Sequence, residues 1–291
     1  MRLYDRVMKD GVDVQRFPQD AKPITTNPQP VDIRVTADQP MANFWGSPED
    51  VPWQKSDFGV VKPPFPVMWI EGNFPDRAYA DGIWKNTRGH QRGFVVQESD
   101  SWVHMMEVLW SPPLMARPVM LPLSFSFRYD DDGTISTPPG LDDRHYIAAV
   151  QSYAVRGGPP DAWSEFVDEN RDYLMHEADV PLYALSLMNC KNVKLERDEP
   201  PSAARQRAHR KRHGVPISRF SRIVLPSQRN STAAGHGGKV ASAQHLVRGH
   251  FKTYTAEAPL MGRHVGTYWW GWHARGDEAN GKVHPTYEVA S

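Results

Sequence analysis

Cysteine is almost absent from this chain of 291 residues, whose one thiol belongs to Cys190. A single cysteine excludes an intramolecular disulfide and a metal site built from several thiolates. This scarcity is typical of proteins that work in a reducing cytosol. No apolar run approaches the roughly 20 residues that span a bilayer, and the first residues lack the apolar core of a signal peptide. We therefore expect a soluble intracellular protein without a membrane partner.

Net charge is absent as well, because 34 Lys and Arg side chains balance 34 Asp and Glu side chains. Any attraction to nucleic acid must therefore be local. Residues 203–222 hold seven cations and no acidic residue, whereas residues 161–179 hold seven acidic residues. The clustered cations are candidate RNA contacts: Arg205, Arg207, Arg210, Lys211 and Arg212. The alternatives are a solvated loop or a segment covered by the acidic one.

Proline is abundant, with 26 residues that interrupt long helices and favour an irregular, strand-rich architecture. Strand patterns occur at residues 67–71, 93–97, 102–109 and 121–128, and a turn sequence follows at 131–133. An antiparallel sheet is the simplest assembly of these strands. In the fourth strand, large apolar residues alternate with small or polar ones, which predicts one buried and one solvated face.

Helical spacing of apolar residues predicts a short helix near the N-terminus and a pair of helices at residues 163–174 and from Asp179 onward. The last of these has almost no polar face and should be buried. The basic segment 197–214 is interpreted as a solvated linker, and strands follow near 217–225, 245–255 and 264–273.

These patterns predict an α+β fold with a mostly antiparallel sheet, two central helices and a C-terminal antiparallel strand unit. Four regions are expected along the chain. They are a loop-rich arm with a short helix (1–57), a β-rich region (58–158), a helical pair (159–196), and the basic linker with the C-terminal β unit (197–291).

The C-terminal strands carry the most informative residues. Period-two alternation puts Val247 and Phe251 on one face of the first strand, and Arg248 and His250 on the other together with Lys252 and Tyr254. Arginine and histidine beside aromatic rings favour recognition of an anionic or planar group. The candidate target-binding residues from both strands are His245, Arg248, His250, Trp270, His273 and Arg275.

Two chemical alternatives concern the same histidines. His245 and His250 are five residues apart and face opposite ways on a strand, so we expect no metal site and no cofactor. His250 and His273 could instead act as the acid and base of a metal-independent ribonuclease, with an arginine stabilising charge. A third interpretation is a polar surface patch in which Arg248 pairs with a carboxylate.

The motif His245-x-x-Arg248-Gly249-His250-Phe251 follows a buried helix ending in Leu187-Met-Asn-Cys-Lys-Asn-Val193 and a basic segment. This order resembles a phage and plasmid anti-CRISPR family that blocks biogenesis of the type V-A CRISPR nuclease. The resemblance extends from about residue 175 to the end, and the N-terminal half has no counterpart. It implies recognition of the nuclease's nascent N-terminal peptide, followed by loss of the messenger RNA.

The expectation is thus a phage-encoded anti-defence protein in the cytoplasm of a bacterial host. Its partners would be a host polypeptide, including a nascent chain on the ribosome, together with RNA or the ribosome itself. Such a protein is not expected to be an enzyme. The alternatives are a metal-independent ribonuclease or RNA-binding protein, and a virion structural protein, which would suit the proline-rich and tryptophan-rich arm.

Overall fold

A computed structural model of the chain describes residues 2–10, 29–32, 55–73, 91–110, 117–137, 147, 149–152, 178–226, 243–247, 249–271, 273–275 and 277–282. The helices in these ranges are α1 (Leu3–Asp10), α2 (Asp179–Met188) and α3 (Ala203–His213), with a 3-10 turn at Lys55–Asp57. The helix expected at 163–174 and most of the expected arm at 1–57 lie outside the described residues.

The strands are β1 (Gln29–Asp32), β2 (Val67–Asn73), β3 (Gln91–Ser99), β4 (Trp102–Trp110), β5 (Val119–Arg128), β6 (Ala149–Ser152), β7 (Lys194–Arg197), β8 (Ser221–Val224), β9 (Ala243–Val247), β10 (His250–Tyr254), β11 (Gly266–Trp270), β12 (His273–Arg275) and β13 (Asp277–Lys282). The strand patterns predicted near 67, 93, 102 and 121 coincide with β2 to β5.

The large sheet has the strand order β6-β5-β4-β3-β2-β1-β8-β7. Every neighbouring pair in it is antiparallel except β1 with β2 and β1 with β8. The predicted α+β class with mostly antiparallel sheet is therefore confirmed. The strand predicted near 217–225 is β8, which pairs with β1 and β7 in the large sheet.

Both faces of the large sheet are covered. On one face, Phe94 and Phe125 pack with the apolar side chains of α2, and on the other, Trp69 and Phe220 pack with α1. The solvated face predicted for β5 is wrong, since Ser126 is only 5 % exposed. Its hydroxyl lies 2.8 Å from Nδ1 of His104, so this buried hydroxyl has a hydrogen-bond partner.

Buried carboxylates hold α1 against the sheet. Glu71 of β2 accepts the Tyr4 backbone N–H and the Trp69 indole N–H, each at 2.9 Å. Asp5 accepts the Ser218 backbone N–H at 3.2 Å. A carboxylate is favourable at the first turn of a helix because the unpaired N–H groups there carry partial positive charge. The N-terminus of the chain is thereby fixed beside the segment that precedes β8.

The interpretation of residues 197–214 as a linker is wrong, because residues 203–213 form α3. Its first turn is capped by Ser202, whose hydroxyl accepts the Arg205 N–H, and it ends at Gly214 in the left-handed conformation, with φ of 78°. Alanine and arginine are good helix formers, and cations near a helix C-terminus interact favourably with its dipole. The charge run obscured these ordinary helix signals.

Helix α2 is buried as predicted, and it brings Cys190 into the core at 4 % exposure. The Cys190 thiol points back to the Ser186 carbonyl at 3.2 Å. Desolvation by burial raises the pKa of this thiol to about 12.

We expect Cys190 to react slowly with a thiol reagent in the folded protein, because burial blocks access and keeps the thiol protonated. Unfolding in urea should restore the rate of a free cysteine. The measurement is the rate of thiol modification with and without denaturant. Rapid modification of the folded protein would show that the end of α2 is open to solvent.

The same burial gives a dependence of stability on pH. A group whose pKa is raised on folding stabilises the fold below its ordinary pKa, here 9.0, and this contribution is lost as the pH rises toward 12. The unfolding free energy of the wild type should therefore fall more steeply above pH 9 than that of Cys190→Ala. Parallel profiles for the two proteins would contradict the burial of the thiol.

Candidate functional site

The C-terminal strands include two antiparallel pairs, β10 with β11 and β9 with β12, and β13 pairs in parallel with the other edge of β9. His250 lies opposite Trp270, His273 opposite Val247, and Arg275 opposite His245. The two antiparallel pairs have the same register. We call these two pairs together the ribbon.

One face of the ribbon is buried against α2. The ring centroid of Trp269 lies 5.6 Å from that of Tyr183 and 4.9 Å from that of Phe251, and Phe251 is 5.5 Å from Tyr183. Tilted and edge-on arrangements at these distances are favourable between aromatic rings. This three-ring cluster joins the ribbon to the core.

Backbone hydrogen bonds reinforce the attachment. The Asn192 side chain accepts the Trp269 N–H at 2.9 Å and donates to the Trp269 carbonyl at 2.7 Å. The Lys191 N–H donates to the Thr267 carbonyl at 2.8 Å. The segment after α2 therefore acts as a partner for β11.

Gly249 is required by this packing. A Cβ atom at this position would lie 2.4 Å from the indole of Trp269, closer than real Cβ atoms approach other atoms. The glycine in the Arg-Gly-His motif thus makes room for the tryptophan that anchors the ribbon. The sequence alone had given no reason for it.

The opposite face of the ribbon is open to solvent and is called here the outer face. It carries His250, Lys252, Tyr254, Tyr268 and Trp270, and Trp270 is 40 % exposed. Tyr254 and Tyr268 pack edge-on at 5.8 Å, and the Lys252 ammonium lies 5.0 Å from the Tyr254 ring. Neither strand of this face contains an acidic residue. The outer face is therefore aromatic and cationic.

The predicted target-binding residues are placed unevenly. His250 and Trp270 face each other on the outer face, and the backbones of His245, His273 and Arg275 belong to the ribbon. Arg248, and the side chains of His245, His273 and Arg275, lie outside the described residues. His250 and His273 are not opposite each other, since they are three register positions apart, roughly 10 Å along the ribbon.

The predicted RNA contacts all lie on α3 and all are exposed: Arg205, Arg207, Arg210, Lys211 and Arg212. They do not share one side of the helix. Arg205 and Arg212 line a cleft of about 1250 Å³ between α3, the β7–β8 pair and the start of α1, whereas the other three do not. Arg207, Arg210 and Lys211 form what we call the outer side of α3.

Two histidines of α3 also border the cleft. The rings of His209 and His213 are 4.6 Å apart, and Nδ1 of His209 donates to the Val215 carbonyl at 3.0 Å. Desolvation and then the charges of His209 and Arg212 hold the pKa of His213 below its usual value. The site is thus already rich in positive charge.

Searches found no matching family model, curated protein or solved structure. In the described part of the chain, no helix is both long and apolar enough to cross a membrane. The described ranges also contain no cluster of three or more His, Cys, Asp or Glu side chains suited to a metal ion.

Sequence reasoning missed the cleft altogether. Its walls combine Arg2 with residues almost two hundred positions away, such as Asp198. No local pattern reports such a pairing. The helical spacing of Arg205, His209 and Arg212 was the one available signal, and it becomes visible only when the segment is recognised as a helix.

Gly249→Ala should destabilise the protein by about 1–3 kcal/mol, because the new methyl group must displace the Trp269 indole from a packed cluster. Gly262→Ala is the control from the same hairpin, where a Cβ would meet nothing and only the positive φ of 74° is unfavourable. That change should cost about 1–2 kcal/mol through the backbone alone. Urea denaturation of both variants makes the comparison, and a smaller loss for Gly249→Ala than for Gly262→Ala would contradict the role of Gly249.

Proposed function

We propose that this protein recognises a host polypeptide with the outer face of the ribbon and contacts RNA with α3, lowering production of that polypeptide through its messenger RNA. It would act in the cytoplasm of a bacterial host on nascent chains, as an anti-defence protein like the anti-CRISPR family it resembles. The observation that carries the proposal is an aromatic, cationic surface that is exposed while its reverse side is firmly anchored.

The chemistry of the outer face suits a peptide. Aromatic side chains bury a large area at little entropic cost, and exposed tryptophan and tyrosine are enriched among residues that dominate binding energy. His250 and Lys252 add donors for backbone carbonyls or carboxylates. Anchoring by the Trp269 cluster keeps the surface in one conformation, which reduces the entropic cost of binding.

The arrangement of the two surfaces supports a combined action. Asn192, which bonds to the ribbon, is five residues from Arg197, which lines the cleft beside α3. Five extended residues span at most about 18 Å. A nascent peptide and a strand of RNA could therefore be held by neighbouring parts of one body.

The test is a reporter messenger that begins with the coding sequence for the N-terminal segment of the type V-A nuclease. A matched reporter carries almost the same nucleotides in a shifted reading frame, so that the RNA is preserved and the peptide is not. Co-expression of the protein should lower the first messenger and spare the second. Loss of both messengers, or of neither, would contradict nascent-peptide recognition.

Trp270→Ala should abolish this effect, since loss of a central aromatic anchor costs about 2 kcal/mol of binding free energy, roughly thirtyfold in affinity. Met261→Ala is the matched control, because Met261 is 81 % exposed at the hairpin tip and not on the outer face. Messenger abundance reports the outcome. An active Trp270→Ala protein would remove the outer face from the proposal.

The ribonuclease alternative makes a different prediction for His250→Gln. Glutamine keeps a hydrogen-bonding group but cannot shuttle a proton near neutral pH, so a nuclease would lose a factor of about 100 or more. A recognition protein should retain most of its effect. Metal-independent cleavage of RNA by the purified protein, abolished in this variant, would replace the binding proposal with an enzymatic one.

A further inference from the structure

We infer that the cleft beside α3 is a binding site for a single-stranded segment of RNA, held by its phosphates. This deepens the RNA contact of the proposed function and rests on it. It assigns the contact to one side of α3 together with residues of β7, β8 and the N-terminus. The outer side of α3 is left without a direct role.

Charge is the first argument. Six arginines and two histidines line the cleft, against four carboxylates. One carboxylate, that of Asp198, is already used: it accepts from Arg2 at 3.4 Å, from Arg222 at 3.2 Å and from the Phe220 N–H at 3.3 Å. Glu196 and Glu199 also line the cleft and offset part of the remaining positive charge. The arginines still outnumber the carboxylates, so the surface of the cleft is net positive.

Preorganisation is the second argument. The Arg219 guanidinium donates twice to the Asp198 carbonyl, at 3.0 and 3.1 Å. Together with Arg2 and Arg222, it is fixed by one residue. Guanidinium groups that are already oriented lose little entropy when they bind an anion, and their forked donors match phosphate oxygens.

The third argument concerns the arginines of the cleft that are not held by Asp198. Arg197, Arg205 and Arg212 form no ion pair or side-chain hydrogen bond with another described residue. Arg205 and Arg212 are seven residues apart on α3, which is two turns and about 10.5 Å. A single phosphate group is too small to meet both, whereas successive phosphates of one strand can.

The size of the cleft and the residues that line it indicate which class of ligand it can bind. A cleft of about 1250 Å³ exceeds the 300–1000 Å³ that is typical of small-molecule sites, so it suits an oligomer. Phe220, which follows the lining residue Arg219, is buried and lies 3.7 Å under the Arg2 guanidinium, so its ring is not available for stacking on bases. Binding should therefore depend on phosphates and not on sequence.

The experiment titrates a short fluorescein-labelled oligouridylate by anisotropy at several salt concentrations. Arg205→Ala with Arg212→Ala removes two cations from the cleft, and Arg207→Ala with Arg210→Ala removes two from the outer side of the same helix. Both pairs change net charge equally, and alanine preserves helix propensity. Circular dichroism checks that each protein is folded.

The cleft pair should weaken binding by about tenfold and reduce the salt slope by about 1.4, since each lost contact to a single strand removes about 0.7. The outer pair should change affinity less than about threefold. If the outer pair weakens binding as much as the cleft pair, the cleft assignment is wrong and the RNA contact of the proposed function stands. If the wild type binds no RNA, the cleft assignment and the RNA contact of the proposed function are both wrong. Polypeptide recognition is then still tested by the reporter experiment.

A polyglutamate peptide serves as the competing polyanion. It should displace the RNA only weakly, because each RNA residue adds a ribose 2′-hydroxyl to its two phosphodiester oxygens, whereas a glutamate side chain offers only its two carboxylate oxygens. Displacement as effective as that by unlabelled RNA, lost in the cleft pair, would identify the cleft as a site for acidic polypeptides and overturn the inference.

Discussion

The packing of Trp269 is the interaction on which the candidate site depends. Its indole is buried between Tyr183 and Phe251, its backbone is bonded on both sides by Asn192, and its ring fills the space that a side chain at position 249 would need. Burial of so large a side chain contributes roughly 1.5–3 kcal/mol or more, and removing it would free the ribbon from α2. The exposed residues on the reverse of the ribbon are held in place by this anchor. The position of the outer face is therefore a consequence of core packing on the inner one.

The large sheet supports two candidate sites because both of its faces are covered. On one face it carries α2, and α2 carries the ribbon; on the other it carries α1, whose start forms part of the cleft wall. The buried carboxylates of Glu71 and Asp5 fix α1, and Arg2 then reaches Asp198 across 196 positions of the sequence. Arg197, Arg205 and Arg212 need no carboxylate partner among the described residues because their side chains are exposed to water, whereas buried cations would need matched partners at a cost of several kcal/mol each. The N-terminal residues are thus structural on one side and part of a candidate site on the other.

The two surfaces differ in how they would recognise a partner. The outer face combines aromatic area with few charges, which favours affinity for a defined peptide, whereas the cleft is dominated by guanidinium groups and favours phosphates regardless of sequence. Specificity in the proposed function would then come from the ribbon, and the cleft would supply affinity for the RNA that is present wherever a nascent chain is. The short segment from Asn192 to Arg197 couples them physically, since it bonds to the ribbon at one end and enters the cleft at the other.

The amino-acid sequence by itself determined the local elements: the alternating strands β2 to β5, the buried helix from Asp179, and the period-two separation of Phe251 from His250 and Lys252. These follow from short-range periodicity, which is readable without knowing the fold. The helix formed by residues 203–213 was also encoded locally, by Ser202 and Gly214 at its ends, but its charge suggested a linker. Only the tertiary structure decided that β8 joins the large sheet, that Trp269 requires Gly249, and that Arg2, Asp198 and Arg205 border one cleft. Such contacts join residues tens to hundreds of positions apart, and their energy depends on how packed surfaces meet in space, which no local pattern specifies.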